Sequence, residues 1–494
     1  MIELDTDIHT LSKQAEEYCA KADWQRAVPV LQRLWQLGFK PELTALALGN
    51  VSMNRSMATE AMMWYRRVLA LNPRNYVAHE NLIFMVDAQP ETTEDESLDA
   101  RRGWWEHIGK PAYARRPHTY LNERDPEKRL RVGYVSGDFN FHSAAIAWAP
   151  VAAHHTAQIE PIFYCTSPAA QWDEVTHKHW KDRWGGQFID VSMHSASRLA
   201  QGIYHDKVDI LVDLSGYTRN NRLLTFSEKP APIQVQAWGY VLGTASPAID
   251  YILGDPVVCS PQVRRMLHEK VIDLPALLSY LPRPDLPEPN ELPCTRDDQP
   301  ITFAVFQRAM KVNADCLNVW REILERIPRS RLVFKAGDYS PEKRGAIVKE
   351  MASVQRQIHF EYPTDHKDHM LTYQSVDLSL DPWPQTGGVS TLESLWMGVP
   401  CVTLLGPRMI QRASASFLTV MGYGEDCIAH SREDYVSKAI KLVTYNRGRL
   451  IQIRQEARKT MQASPIMTGY VEAVEQRYRE LWRSWCAAQE EAAA

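Results

Sequence analysis

The 494-residue sequence has no long run of charge of one sign, and its formal net charge is only −4. A nucleic-acid backbone is therefore not an expected partner. No uninterrupted apolar stretch is long enough to cross a bilayer, and the acidic start MIELDTDIHTLSK carries no apolar signal segment. The eight cysteines are scattered and form no CxxC pair, which suggests reduced thiols in a cytoplasm. These absences predict a soluble, cytoplasmic protein with neither a membrane nor a nucleic acid as partner. What is present is an ordinary globular balance, 45% hydrophobic and 23% charged, in a chain long enough for roughly three domains.

Residues 1–90 read as helical and repetitive. AEEYCAKADWQRAVPVLQRLWQLG and LALGNVSMNRSMATEAMMWYRRVLALNP superpose at an offset of 34 residues, with Ala27 on Ala61 and Leu31 on Tyr65. In the second copy Leu48, Gly49, Ala61, Tyr65 and Pro73 fall where the tetratricopeptide pattern places small, aromatic and helix-ending residues. YVAHENLIFMVDA adds a helix, for about two and a half repeats. Such a stack serves either as a helical cap on the next domain, the favoured reading, or as a groove for a partner. Residues 91–128 are charged, proline-containing and weakly periodic, and read as a helical linker with a helix around Ser97 to Ile108.

From residue 129 strands and helices alternate. LRVGYVSGDF, IEPIFYCTS, VDILVDLSG, PIQVQAWGYVLGT and AIDYILGDP read as strands. HSAAIAWAPVAAHH and SASRLAQGIYHDK read as helices. Alternation of this kind builds a parallel sheet covered on both faces. Residues 282–299 form a proline-rich linker, and a second alternating unit follows over 300–465, with a C-terminal helix over 466–494. The fold class expected is thus α/β of the GT-B kind, two Rossmann-like domains facing a cleft, preceded by the all-α repeat domain. Ligands of that architecture lie in the cleft, at the carboxyl ends of the two sheets.

The most informative stretch is VDLSLDPWPQTGGVSTLESLWMGVPCVTLL, which reads as strand, loop, helix, strand. Gly387 and Gly388 open a turn with no Cβ in the way of a ligand. Ser390 or Thr391 is placed to cap a helix from Thr391 to Met397, with Glu393 in its first turn. A glycine turn feeding a helix N-terminus past a parallel strand is a phosphate site, or else an ordinary βα turn with no ligand.

Four blocks in order, RLRVGYVSGDFNFH, DILVDLSGYTRNNRLLTFSEKPAPIQVQAWGYVLGT, FQRAMKVNADCLNVWREILERIP and LDPWPQTGGVSTLESLWMGVPCVTL, resemble the signatures of the O-linked N-acetylglucosamine transferase family. The resemblance covers most of the chain from about residue 129 to 482 and includes the repeats ahead of it. It implies an inverting glycosyltransferase that moves N-acetylglucosamine from UDP-GlcNAc to serine or threonine of a protein or peptide, with no metal or other cofactor. His142 matches the family's active-site histidine, and Lys311 the lysine that neutralises the donor diphosphate. Arg308, Thr364, His366, His369, Gly387, Gly388, Val389, Ser390 and Glu393 fall at donor-side positions, Glu393 facing the ribose.

Departures from the pattern surround the pocket. Arg308 replaces an amide, Gly388-Val389-Ser390 replaces a more hydroxyl-rich triplet, Glu393 is longer than the usual aspartate, and Asp209 stands where a second family histidine is expected. Arg408 and Arg412 match family basics that line the cleft, or else form a surface pair at a helix start. Asp365, His366, Asp368 and His369 admit a minority reading as a metal cluster. The departures leave room for UDP-glucose transfer to asparagine, for GDP-fucose transfer, or for a non-catalytic adaptor. Self-association through the repeats is left open.

Overall fold

A computed structural model describes residues 2–55, 57–295 and 299–493. The chain divides into two compact units, Met1–Arg116 and Pro117–Ala494. In the first, the helices Ile2–Ala20, Trp24–Gln36, Pro41–Asn54, Ala58–Leu71, Tyr76–Ala88 and Glu94–Trp104 follow one another through short turns. Gly49 explains the small residue of the repeat: a Cβ there would lie 2.6 Å from the Tyr65 ring. Ala27, Ala61 and Tyr65 are all fully buried.

The helical unit runs past the boundary expected at residue 90. Thr93 and Glu96 form a capping box that opens the helix Glu94–Trp104. Its buried face includes Arg101, paired at 2.7 Å with Asp87 of the preceding helix, both side chains being almost wholly buried. Removing one partner of such a pair costs about 3–5 kcal/mol. The sequence reads as a linker here because an ion pair takes the place of part of the apolar stripe.

Residues 117–129 are not loose either. They form a strap on the second unit, with Tyr120 Oη donating to the Lys229 carbonyl at 3.1 Å and Asn122 Nδ2 to the Asp209 carboxylate at 2.8 Å. Its bonds are polar and isolated, so it shows no apolar period.

The second unit holds two parallel sheets. The first contains β1 (Leu130–Ser136), β2 (Ile159–Cys165), β3 (Phe188–Asp190), β4 (Ile210–Asp213), β5 (Ile233–Gln236), β6 (Tyr251–Gly254) and β7 (Lys270–Asp273), in the order β3-β2-β1-β4-β5-β6-β7. The other contains β8 (Ile301–Val305), β9 (Ser330–Lys335), β10 (Ile358–Glu361), β11 (Leu378–Leu380), β12 (Cys401–Leu404) and β13 (Ile428–Ala429), in the order β10-β9-β8-β11-β12-β13. Each order reverses beside its first strand, which leaves a crevice between β1 and β4 and another between β8 and β11. This is the two-Rossmann, GT-B arrangement.

The chain passes between the halves twice. The proline-rich linker goes one way, and its residues 296–298 lie outside the described residues. The described part is pinned: Arg454 Nε donates to the Asn290 carbonyl at 2.8 Å and Cys294 N–H to Asp377 at 2.8 Å. The C-terminal helix Tyr470–Ala493 returns to the first half. There Tyr470 Oη accepts from Trp238 Nε1 at 3.0 Å, and Glu475 meets His155 Nδ1 at 2.9 Å. That helix belongs physically to the first sheet's layer. Among the described residues no helix is long and apolar enough to cross a membrane.

Candidate functional site

The loop after β1 carries Asp138 and His142, and Phe139 between them explains how. Its ring is fully buried and packs edge-on against Trp148 at 5.1 Å and Trp180 at 5.0 Å. With Phe139 anchored inward, Asp138, Phe141 and His142 remain at the crevice. His142 is the N-cap of the helix Ser143–Ala152, and its Nδ1 accepts from the Ala144 N–H at 3.2 Å. A neutral imidazole that accepts through Nδ1 carries its proton on Nε2. The Asp138 carboxylate lies 3.6 Å from the same Nδ1. Burial pushes the Asp138 carboxyl up, opposed by the charges of His142 and of Arg308 from the other half.

Opposite stands the turn after β8. Ala309 N–H donates to both oxygens of Asp338 at 2.9 and 3.0 Å, and Tyr339 Oη to the Gln307 carbonyl at 3.1 Å. This places Arg308 outward, where it is exposed, and Lys311 inward. The Lys311 ammonium donates to Gln307 Oε1 and to the Thr386 carbonyl, each at 3.0 Å. Lys311 keeps some surface open to the cleft, yet its surroundings are crowded. Burial lowers it to about 8, with Asp381 opposing and Arg308 assisting. At pH 7 about nine-tenths of the lysine is still charged.

The glycine turn after β11 completes this wall. Gly387 N–H donates to Asp381 Oδ1 at 2.8 Å, and Thr403 Oγ1 donates to Asp381 Oδ2 at 2.7 Å. A Cβ on Gly387 would meet Thr391 Oγ1 at 2.2 Å, so this glycine is required by the protein's own packing. Gly388 is the open one, with only Leu278 Cδ1 near, at 3.8 Å. The helix runs from Val389 to Trp396 with Gly388 as N-cap and no side-chain cap bond. Capping by Ser390 or Thr391 is thus corrected: both lie inside the helix. Ser390 Oγ accepts from Gln307 Nε2 at 2.6 Å, and Thr391 Oγ1 pairs with Ser414 Oγ at 2.8 Å. Val389 packs into the core. An uncapped first turn leaves backbone N–H groups and the positive end of the helix dipole at the crevice between β8 and β11.

Glu393 is also displaced from expectation, past the first turn and 7% exposed. It meets His366 Nε2 at 2.7 Å. His366 opens the helix His366–Thr372, and Thr364 is exposed in the loop before it. His369 packs against Phe306 at 5.3 Å and Tyr373 at 5.6 Å, and burial lowers its pKa, with the Glu393 charge opposing. No group of three or more His, Cys, Asp or Glu side chains among the described residues is set to hold a metal. Phe141, from the first half, meets the His366 ring edge-on at 5.7 Å across the cleft.

Asp209 is corrected outright, and of the two readings of Arg408 and Arg412 the surface pair is removed. Asp209 precedes β4 and so lies at the amino edge of the first sheet, away from the cleft. It is fully buried and bonded to Lys128 Nζ, Asn122 Nδ2 and Arg131 N–H, each at 2.8 Å. Arg408 is 4% exposed and is no surface residue. Arg412 donates to the Gly406 carbonyl at 2.7 Å and to the Val257 carbonyl of the first half at 2.6 Å, which fastens the halves together. Missed from sequence were Asp138, which the motif DFNFH contained, Asp381, which ends the apolar run before Pro-Trp-Pro, and Gln307, which carried no signal.

The family model described as Glycosyl transferase family 41 matches residues 107–279 and 292–473. The probable UDP-N-acetylglucosamine–peptide N-acetylglucosaminyltransferase SPINDLY of Solanum lycopersicum is 32% identical over 432 residues, 85% of this chain and 45% of that protein. The probable enzyme of the same kind named SEC, from Arabidopsis thaliana, is 30% identical over 377 residues, 74% of this chain and 38% of that protein. The chain therefore spans less than half the length of these curated relatives. A mutant O-GlcNAc transferase of Thermobaculum terrenum superposes with a TM-score of 0.72 at 25% identity, covering 98% of this chain and 99% of that one. On the match of its own residues 107–279 and 292–473, the chain belongs to glycosyl transferase family 41.

Proposed function

We propose that this protein is an inverting glycosyltransferase that moves N-acetylglucosamine from UDP to a serine or threonine hydroxyl of a protein or peptide. The observation that carries the reading is the meeting of two crevices. One presents Lys311, Arg308 and an uncapped helix start, and the other presents Asp138 and His142. The names of the relatives, all probable N-acetylglucosaminyltransferases acting on peptide, supply the sugar and the acceptor class.

The diphosphate gains charge as the sugar departs, so donors fixed in advance stabilise the transition state more than the ground state. Lys311, Arg308 and the helix N–H groups provide that charge without calling on a metal ion. Glu393 and His366, paired at 2.7 Å, are read as the ribose side of the donor, since a carboxylate accepts two such bonds. His142, its Nδ1 held by the Ala144 N–H, presents Nε2 to orient an acceptor oxygen. Asp138, its carboxyl raised by burial, is the group suited to take the hydroxyl proton. A cytoplasmic location is part of the proposal, supported by eight cysteines that are all free.

Calorimetric titration with UDP, UDP-N-acetylglucosamine, UDP-glucose and GDP-fucose, beside Lys311→Ala, tests the reading. Saturable binding of UDP and tightest binding of UDP-N-acetylglucosamine, both lost in the variant, are expected, as is sugar transfer to a serine-containing peptide library. Absence of nucleotide binding at millimolar concentration would overturn it.

A further inference from the structure

We infer that Gln307 is a positioning residue, whose single amide fixes the direction of both the Lys311 ammonium and the Ser390 hydroxyl toward the mouth of the glycine turn. Its Oε1 accepts from Lys311 Nζ at 3.0 Å, and its Nε2 donates to Ser390 Oγ at 2.6 Å. The reverse amide orientation would set an NH2 against an ammonium, donor to donor, so the network admits one assignment. The consequences for the two neighbours are complementary. An ammonium has three protons; Gln307 and the Thr386 carbonyl take two, leaving one. A hydroxyl that accepts from an amide keeps its own proton for donation. Gln307 thus leaves one N–H and one O–H, side by side, beside the first turn of the helix Val389–Trp396.

The packing is arranged to keep it there. Gln307 is 9% exposed and its carbonyl is held by Tyr339 Oη at 3.1 Å. A Cβ on Gly387 would lie 2.8 Å from Gln307 Nε2 and 3.1 Å from Ser390 Oγ, so the glycine admits the amide to the serine. Two single donors at fixed separation suit the non-bridging oxygens of a nucleoside diphosphate. For its ligand the inference rests on the nucleotide-sugar reading of the cleft.

The isosteric Gln307→Glu separates direction from shape. A carboxylate accepts from both neighbours, so the Ser390 proton turns toward residue 307 and away from the ligand, while Lys311 is held in an ion pair. UDP affinity should fall about tenfold or more. Ser390→Ala should cost several-fold in the native background and nothing further in Gln307→Glu. Lys311 is also read without ligand, by its rate of acylation with acetic anhydride across pH in the intact protein. The native midpoint is expected near 8. Gln307→Glu should raise it by at least about one unit. Gln307→Met, similar in length but without an acceptor, should lower it.

Unchanged midpoints in both variants, or an equal cost of Ser390→Ala in both backgrounds, would overturn the inference. Should native protein fail to bind UDP, the nucleotide-sugar reading falls, and the two midpoints still decide whether Gln307 governs Lys311.

Discussion

His366 Nε2 lies 2.7 Å from Glu393 Oε1, joining the start of one helix to the interior of another beside the glycine turn. Both side chains are about nine-tenths buried, so the pair is screened little by water. Glu393→Ala leaves the imidazole without its partner, and a stability loss on the order of 1–3 kcal/mol is expected. Nucleotide binding should weaken about tenfold or more, whereas binding of inorganic pyrophosphate should change little. Titration of the variant with UDP and pyrophosphate checks the contrast; equal losses would remove the ribose role from Glu393.

Lys311 sets a pH limit. Its folded pKa is lowered to about 8, mainly by burial. A diphosphate binds the charged form, so affinity for UDP should be flat below that value and fall above it, by at most about tenfold per pH unit. Lys311→Arg, charged at all accessible pH, should bind more weakly at pH 7 but lose the alkaline fall. Isothermal titrations from pH 6.5 to 9.5 read the slope directly.

Asp209 should matter to folding alone. It satisfies Lys128, Asn122 and the Arg131 N–H at the amino edge of the first sheet. Asp209→Ala strands a buried ammonium and a backbone donor, for a cost of about 2–4 kcal/mol. Thermal unfolding should show that loss, and UDP affinity of the folded variant should remain native.

Glu475 fastens the C-terminal helix to the first half through His155 and Thr156. Burial raises its carboxyl, but the bonds from His155 and Thr156 outweigh burial and hold it below the usual value of 4.5. A depressed folded pKa contributes stability above the unfolded pKa, lost as pH falls through the folded one. Glu475→Gln should therefore lower the melting temperature at pH 7, and the gap from native protein should shrink below about pH 4. Parallel melting curves at pH 7 and 3 test this.

The strands and helices were legible because apolar runs and turn residues act locally. The site was legible in its blocks but not in its wiring. Nothing in FQRAMKVN distinguishes Gln307, whose role arises from contact with Ser390, a residue 83 positions later. Asp209 misled for the opposite reason: its motif neighbours belong to β4, but it sits before the strand and the cleft lies after it. The strap 117–129 was hidden because scattered polar bonds leave no period.

The double passage between the halves also limits how they can move. Two chain crossings, the proline-rich linker and the segment before Tyr470, act as two pins on one axle. Rotation about a line through both leaves each crossing at its natural length, whereas sliding one sheet past the other would stretch them. The cleft is thus built to swing like a door. The Phe141–His366 ring contact and the Arg412–Val257 hydrogen bond both cross between the halves, so a swing has to break them.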